Sequence, residues 1–317
     1  MATVRIGISG WRYPPWRGVF FPKGLPQRNE LAYAASIFPS IEINGSFYAL
    51  QRPSSYGAWM EATPPNFQFS VKAPRFITHI KRLREVDIPV ANFFASGVLR
   101  LGAKLGPILW QFPPSFRHDA ELMETFFSGL PHTTSDALEI ARRHDDHLRS
   151  EAWLTIDRSR PLRHAIEIRN RSFETPEFVK QARRHHIALV VADTADRWPL
   201  MEDLTADFVY VRLHGDEVLY TSGYTEAALD TWALKIEAWQ NGMQAEEAKT
   251  LTPALPVRKS GRDVYVYFDN DVKVRAPYDA MSLSHRLGLG PPPLELPPAG
   301  SVGEVDLVEW PVYGREV

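Results

Sequence analysis

The stretch Asp207 to His214, DFVYVRLH, is apolar on one side of an extended chain, at Val209, Val211 and Leu213, and carries Tyr210, Arg212 and His214 on the other. Such a strand does not suit a sheet buried between two apolar layers, because an unpaired ion inside costs several kcal/mol. The second face must meet other polar groups or water. The same layout recurs along the chain, and that recurrence limits the folds open to it.

Val4 to Ser9 alternates with period two, and Ser40 to Asn44 is a second short strand. Asn66 to Lys72 opposes Phe67, Phe69 and Val71 to Gln68, Ser70 and Lys72. Pro107 to Phe112, Arg163 to Arg169, the strongly apolar Ile187 to Asp193, the opening stretch and Asp263 to Asp269 complete a set of eight. Helices are expected between them: Leu25 to Phe38, Pro53 to Ala62, one within Ile77 to Leu105, Asp119 to Leu130, Asp136 to Arg149, Thr175 to Arg184, Glu226 to Gln240 and Pro277 to Leu287. Short strands alternating with helices describe an α/β protein built as a single (β/α)8 TIM barrel. A doubly wound open sheet is the competing architecture. It would want a glycine-rich loop after the first strand, where this chain has Gly10-Trp11-Arg12-Tyr13.

Residues 1–290 suffice for such a barrel, with a surface insertion near 244–262 and a proline-rich C-terminal tail over 291–317. Lys plus Arg number 36 and Asp plus Glu 38, so the net charge of −2 argues against bulk electrostatic capture of nucleic acid. With no cysteine, disulfides, thiolate nucleophiles and Cys-ligated zinc drop out together. The N-terminus lacks a basic start followed by an apolar run, and no apolar stretch is long enough to span a bilayer, so a cytoplasmic protein without membrane contact is expected.

In this fold one side of each strand faces the barrel axis and active sites sit at the strands' carboxyl ends. Strand parity places Arg5, Gly7, Ser9, Glu42, Asn44, Gln68, Ser70, Lys72, Leu109 and Gln111 inward. From the later strands it adds Ala165, Glu167, Arg169, Leu189, Val191, Asp193, Tyr210, Arg212, His214, Tyr265, Tyr267 and Asp269. Buried structural pairing suits the deeper members, such as Arg5 and Gln68. From the second strand to the eighth, every strand finishes on a polar or charged residue, and that mouth is where a site is expected.

The stretches IGISGWRYPPWRGVFFPKGLP, EINGSFYALQRPSSYGAW, FQFSVKAPRFITHIKRL, KLGPILWQFPPSF, AIEIRNRSF, DFVYVRLHG with YTSGY, and VYVYFDND together resemble the YecE-like family, the domain of unknown function 72 family. The resemblance runs from about Arg5 to Leu287 and implies a TIM barrel. It implies no reaction, since the family's name concedes that its activity is not established. The insertion and the tail look like additions to the family's usual extent.

Three chemistries fit the mouth. In the first, Glu42, Lys72, Glu167, Asp193, His214 and Asp269 carry acid/base and electrostatic catalysis on a small anionic or phosphate-bearing ligand. Trp11, Tyr13, Trp16, Asn44, Tyr48, His79, Gln111, Arg169, Arg212, Tyr224 and Asn270 then line the substrate site. Lys72 could also form a Schiff base if neighbouring cations lower its pKa. In the second, Glu167, Asp193, His214 and Asp269 hold a divalent metal, a layout similar to the xylose-isomerase-like barrels, which include an abasic-site endonuclease; Arg169 and Arg212 oppose it. In the third, Trp11, Tyr13, Trp16, Phe47, Tyr48 and Tyr224 stack bases of a nucleic acid or nucleotide without catalysis. A retaining glycosidase is disfavoured because the fourth and seventh strands end on Gln111 and His214. The sequence specifies no cofactor and no oligomeric state.

Overall fold

In the computed structural model, which describes residues 2–216, 219, 222–270 and 274–293, eight parallel strands close into a barrel in chain order. They are β1 (Val4–Ser9), β2 (Ser40–Ile43), β3 (Gln68–Lys72), β4 (Leu105–Gln111), β5 (His164–Glu167), β6 (Ala188–Asp193), β7 (Phe208–Leu213) and β8 (Asp263–Phe268). The barrel closes where β1 pairs with β8, from Val4 beside Val264 to Ile8 beside Phe268. The expected (β/α)8 architecture is therefore the one found.

The helices are α1 (Glu30–Ile37), α2 (Gly45–Tyr48), α3 (Pro53–Glu61), α4 (Asp87–Ala95), α5 (Ala120–Gly129), α6 (Thr134–Ala141), α7 (Pro176–Arg184), α8 (Glu226–Gln240) and α9 (Arg275–Arg286). Local chemistry fixes their starts. Asp119, Thr133, Thr175 and Thr225 each accept a backbone N–H from the first turn, and Thr133 with Asp136 forms a reciprocal capping box. Proline occupies the first turn of α3 and of α7, where its missing N–H would have had no partner.

Two expected helices are shorter than anticipated. The one expected over Asp136 to Arg149 stops at Ala141, because Asp145 leaves the helix to exchange hydrogen bonds with Asn92, accepting from its side chain and donating its own N–H. The one expected over Leu25 to Phe38 begins with a 3-10 turn at Gln27–Asn29 before α1. The stretch 244–262 runs mostly exposed over the surface and is held in place there. Buried Glu202 accepts from the Lys249 N–H and buried Asp203 from the N–H groups of Leu251 and Thr252, so the segment is clamped onto the chain before β7. Of the proline-rich tail, residues 294–317 lie outside the described residues, as do Tyr220 and Thr221 of the YTSGY stretch.

Two apolar layers result. Residues such as Ile6, Ile41, Val71, Ile108, Ile166, Val209 and Val266 pack outward against the helices. A smaller cluster fills the axis with Leu109, Ala165, Ala188, Val190, Ala192, Phe208, Tyr210, Tyr265 and Tyr267. On β6 the parity expected from sequence is reversed: Leu189 and Val191 join the outer layer, and Ala188, Val190 and Ala192 face the axis. ALVVAD is apolar on both sides, so alternation carried no sign there. The axis floor is polar but satisfied, with Tyr265 donating to Gln68 and Arg5 lying over the Tyr265 ring.

Gly7 on β1 is where close approach requires a glycine. A Cβ there would lie 1.8 Å from the Ser40 carbonyl oxygen, which belongs to the backbone of β2 and cannot swing aside. Gly7→Ala is therefore expected to lower unfolding stability by more than the about 1–3 kcal/mol typical of overpacking, as read by urea denaturation; an unchanged midpoint would show that β2 yields.

Candidate active site at the barrel mouth

The mouth is organised around Arg212, whose side chain is wholly buried. Its β7 position turns it inward above Tyr210, because residues two apart on a strand share a face. The guanidinium binds three carboxylates, on β2, on β5 and just past β8. Nη2 lies 2.9 Å from Glu42 Oε1 and 2.8 Å from Asp269 Oδ2, and Nη1 lies 2.7 Å from Glu167 Oε2. Nε adds a contact of 3.1 Å to Glu42 Oε2, so the fork grips Glu42 with two donors.

The carboxylates are themselves saturated. Glu42 also accepts from Ser9 Oγ at 2.5 Å and from the Tyr210 hydroxyl at 2.6 Å. Glu167 accepts from Gln111 Nε2 at 2.9 Å and from Arg169 Nε at 2.8 Å. Burial alone would raise the Glu167 carboxyl, but Arg169, Arg212 and His214 outweigh it and hold it well below the usual range. Asp269 shows the same balance: burial is overcome by Arg212, His214 and Lys72, and the group stays ionised. Of the three, only Asp269 has an exposed side-chain fraction, 15%.

His214 Nδ1 lies 3.1 Å from Asp269 Oδ2, while Nε2 faces Arg212 Nη1 at 3.4 Å. A guanidinium can only donate, so Nε2 presents its lone pair and Nδ1 carries the proton. Burial first, then Arg212, lowers the His214 pKa, which keeps the ring neutral. Arg169 lays its guanidinium over the Trp198 ring at 3.9 Å, a partner from the loop after β6 that strand alternation does not reveal.

Lys72 differs from every other charge in the ring. Its Nζ sits 4.2 Å from the centre of the Phe47 ring, and among the described residues it makes no ion pair and donates no hydrogen bond. The side chain is 8% exposed. Burial, reinforced by Arg212 and only partly offset by Glu167 and Glu42, lowers its pKa to about 8. Burial is thus the first cause, ahead of the neighbouring cations invoked from sequence.

The other expected site residues are engaged in different ways. Asp193 shares the outward parity of Leu189 and Val191 and accepts from the Tyr224 hydroxyl, so it is not part of the ring. Tyr224 and Asn270 are braces: the Tyr224 N–H and Asn270 Nδ2 both donate to Asp279, a residue on α9 that sequence gave no reason to single out. Trp16 is buried among Phe20, Phe21 and Tyr13, and Trp11 packs against Trp59 and Phe69, so neither offers a stacking face. Tyr13 is held by its hydroxyl on the Ser9 carbonyl. Asn44 donates to Ser9 Oγ at the mouth, and Gln111 is committed to Glu167. Exposed Tyr48 and half-buried His79 flank Phe47, with His79 edge-on at 5.0 Å.

The donor set does not fit a divalent metal. Asp193 is turned away, and Arg212 occupies the carboxylate oxygens of Glu167 and Asp269 that a cation would need. Among the described residues no group of three or more His, Asp or Glu side chains is placed to hold a metal ion. None of their helices is long and apolar enough to cross a membrane.

A family model described as protein of unknown function DUF72 matches residues 5–300, running through the 244–262 segment and past Gly288. The chain is 26% identical to the UPF0759 protein YecE of Escherichia coli K12 over 239 residues, 74% of this chain and 82% of that protein. It is 35% identical to the UPF0759 protein YunF of Bacillus subtilis over 118 residues, a match that spans 36% of this chain and only 41% of YunF. Among solved structures it resembles a DUF72 family protein from Thermotoga maritima, with a TM-score of 0.66 and 23% identity over 90% of this chain and 99% of that one. A DUF72 family protein from Enterococcus faecalis aligns with a TM-score of 0.63 and 17% identity over 92% of this chain and 100% of that one. At such identities the structures attest the fold.

Removing the central cation strands three carboxylates. Arg212→Met is expected to cost about 3–5 kcal/mol in urea denaturation, the scale seen when one side of a buried ion pair is deleted. The pH dependence has a definite sign. The folded-state pKa values of Glu167 and Asp269 lie below their unfolded values, so their contribution is complete above about pH 4.5 and is lost as pH falls through the folded values. Wild type should lose stability on acidification below that point, and Arg212→Met should show a flatter acid limb; equal limbs would mean the pairing contributes nothing.

Proposed function

Because the chain belongs to the family described as protein of unknown function DUF72, a description that assigns no reaction, we propose from the mouth's geometry that it is an enzyme acting on a small anionic ligand by acid/base and electrostatic means. The observation that carries this reading is Lys72, the ring's one charged side chain outside any ion pair among the described residues. Every other charge is occupied, so an arriving carboxylate or phosphate finds its strongest unmet partner there. A buried ammonium without an acceptor is costly, and a bound anion removes that cost.

The roles follow from which groups can exchange protons near neutral pH. Glu42 and Glu167 are committed to holding Arg212, and Glu167, held well below the usual carboxylate range by Arg169, Arg212 and His214, is a poor base. His214 has its lone pair turned to Arg212, so it orients Asp269 and does not deliver a proton. Lys72 titrates at about 8, close to the pH at which a general acid or base is most effective. Lys72 is accordingly the proton carrier and anion contact, with Asp269 and Arg169 as charged neighbours at the rim.

Two further readings have less support. A metal-dependent reaction meets a guanidinium where the ion would sit, and base stacking loses Trp11 and Trp16 to the core.

A thermal-shift panel of small phosphates and carboxylates tests the proposal. At least one anion should raise the Tm of wild type, with binding weakened about tenfold or more in Lys72→Gln, the scale of one charge-assisted contact. It should be unaffected in Arg84→Gln, whose side chain is exposed beside Asp119. Anion binding indifferent to Lys72 would overturn the assignment.

A further inference from the structure

We propose that Lys72 forms an imine with a small carbonyl compound bearing an anionic group, an inference that rests on the mouth being a ligand site. The local architecture around the amine is what points to covalent chemistry. Helix α2 is a single turn placed directly after β2, and it sets Phe47 across the Lys72 Nζ. Two residues past Lys72 the chain passes Pro74 and enters a π-helical turn, Phe76–Ile80, which brings His79 edge-on to Phe47. Isolated π turns are rare and recur at functional sites. Beyond it, Arg82, Leu83 and Glu85 all adopt positive φ, a strained run for residues with side chains. Two elements are thus shaped around one amine that, among the described residues, no carboxylate contacts.

A lysine retained only to balance Glu42 and Glu167 would be expected to touch them, as Arg169 and Arg212 do. Lys72 does not. Among the described residues, the charged groups that influence it are Glu42 on β2, Glu167 on β5 with Arg169 just beyond it, Arg212 on β7 and Asp269 after β8, and the titratable His79 ring meets Phe47 edge-on. Titrating at about 8, the amine is neutral roughly a tenth of the time at pH 7, about 300-fold more often than an ordinary lysine. A desolvated lysine of this kind is a recognised route to a nucleophilic amine.

The step balances between the amine, the carbonyl compound and solvent. The Nζ lone pair attacks the carbonyl carbon, a C–N bond forms as the C=O π electrons move to oxygen, and a proton passes from nitrogen to that oxygen. Loss of the carbinolamine hydroxyl as water, with one proton taken up from solvent, gives the protonated imine, and addition of water with release of that proton restores the free amine and the carbonyl compound.

Glyoxylate with sodium cyanoborohydride tests this on the intact wild-type chain, because hydride addition traps the imine as carboxymethyl-lysine. Peptide mapping should find Lys72 modified about tenfold or more faster than other lysines, with a rate that rises with pH through a midpoint near 8. Oxalate, an anion without an aldehyde, should slow the labelling. Lys72→Arg should bind oxalate and form no adduct at that position. Labelling spread evenly over surface lysines would overturn the imine. If oxalate still stabilised wild type in a Lys72-dependent way, the anion site would stand without it. Selective Lys72 labelling that oxalate left unslowed would overturn the anionic part of the substrate class.

Discussion

One guanidinium shared by three carboxylates holds the mouth of this barrel together. Arg212 on β7 reaches Glu42 on β2, Glu167 on β5 and Asp269 just past β8, so strands far apart around the circumference meet at one side chain. Burying so many charges is tolerable only because nearly every donor and acceptor is used. Beneath the guanidinium, the Tyr210 hydroxyl supports Glu42 and lies 2.6 Å from Ser70, joining the charged layer to the tyrosine-rich axis. Above it, the His214 ring lies between Arg212 and Asp269, its Nε2 3.4 Å from Arg212 Nη1 and its Nδ1 3.1 Å from Asp269 Oδ2. The rest of the site inherits its geometry from this pairing.

That saturation also explains which residue is left to act. Glu42, Glu167 and Asp269 are matched in charge by Arg169, Arg212 and Lys72, yet only the two arginines touch their counter-ions. Lys72 supplies its charge at a distance, under an aromatic ring. The consequence is a cation that the network neutralises overall and leaves chemically free. A metal in the same place would need ligand oxygens that Arg212 already occupies, so the arginine takes the organising role that an ion plays in barrels with bare carboxylate clusters.

Much of this was legible in the sequence, and the exceptions have physical reasons. Alternation located all eight strands, and it oriented β2, β3, β5, β7 and β8 because each has one polar face. It misplaced Asp193 because β6 is apolar on both faces and period two then carries no sign. It put Arg212, Glu42, Glu167 and Asp269 at one mouth but could not pair them, since contacts across a barrel depend on stagger and side-chain reach. Trp11 and Trp16 looked like a stacking surface because composition does not reveal which side of a loop packs inward; in the fold they close the core beside β1. Helix ends were misjudged where a side chain captured the chain, as Asn92 captures Asp145. The isolation of Lys72 was invisible, because it depends on Phe47 arriving from a different strand's loop.

The most direct measurement is a titration of the Lys72 amine itself, followed by NMR of side-chain 15N-labelled lysine and assigned with Lys72→Arg. A midpoint near 8, well apart from the other lysines, is the result that a buried amine outside the ion-pair ring requires. A midpoint at or above the ordinary value of about 10.4 would mean that a carboxylate holds Lys72 as a structural cation, and the mouth would then offer no reactive group.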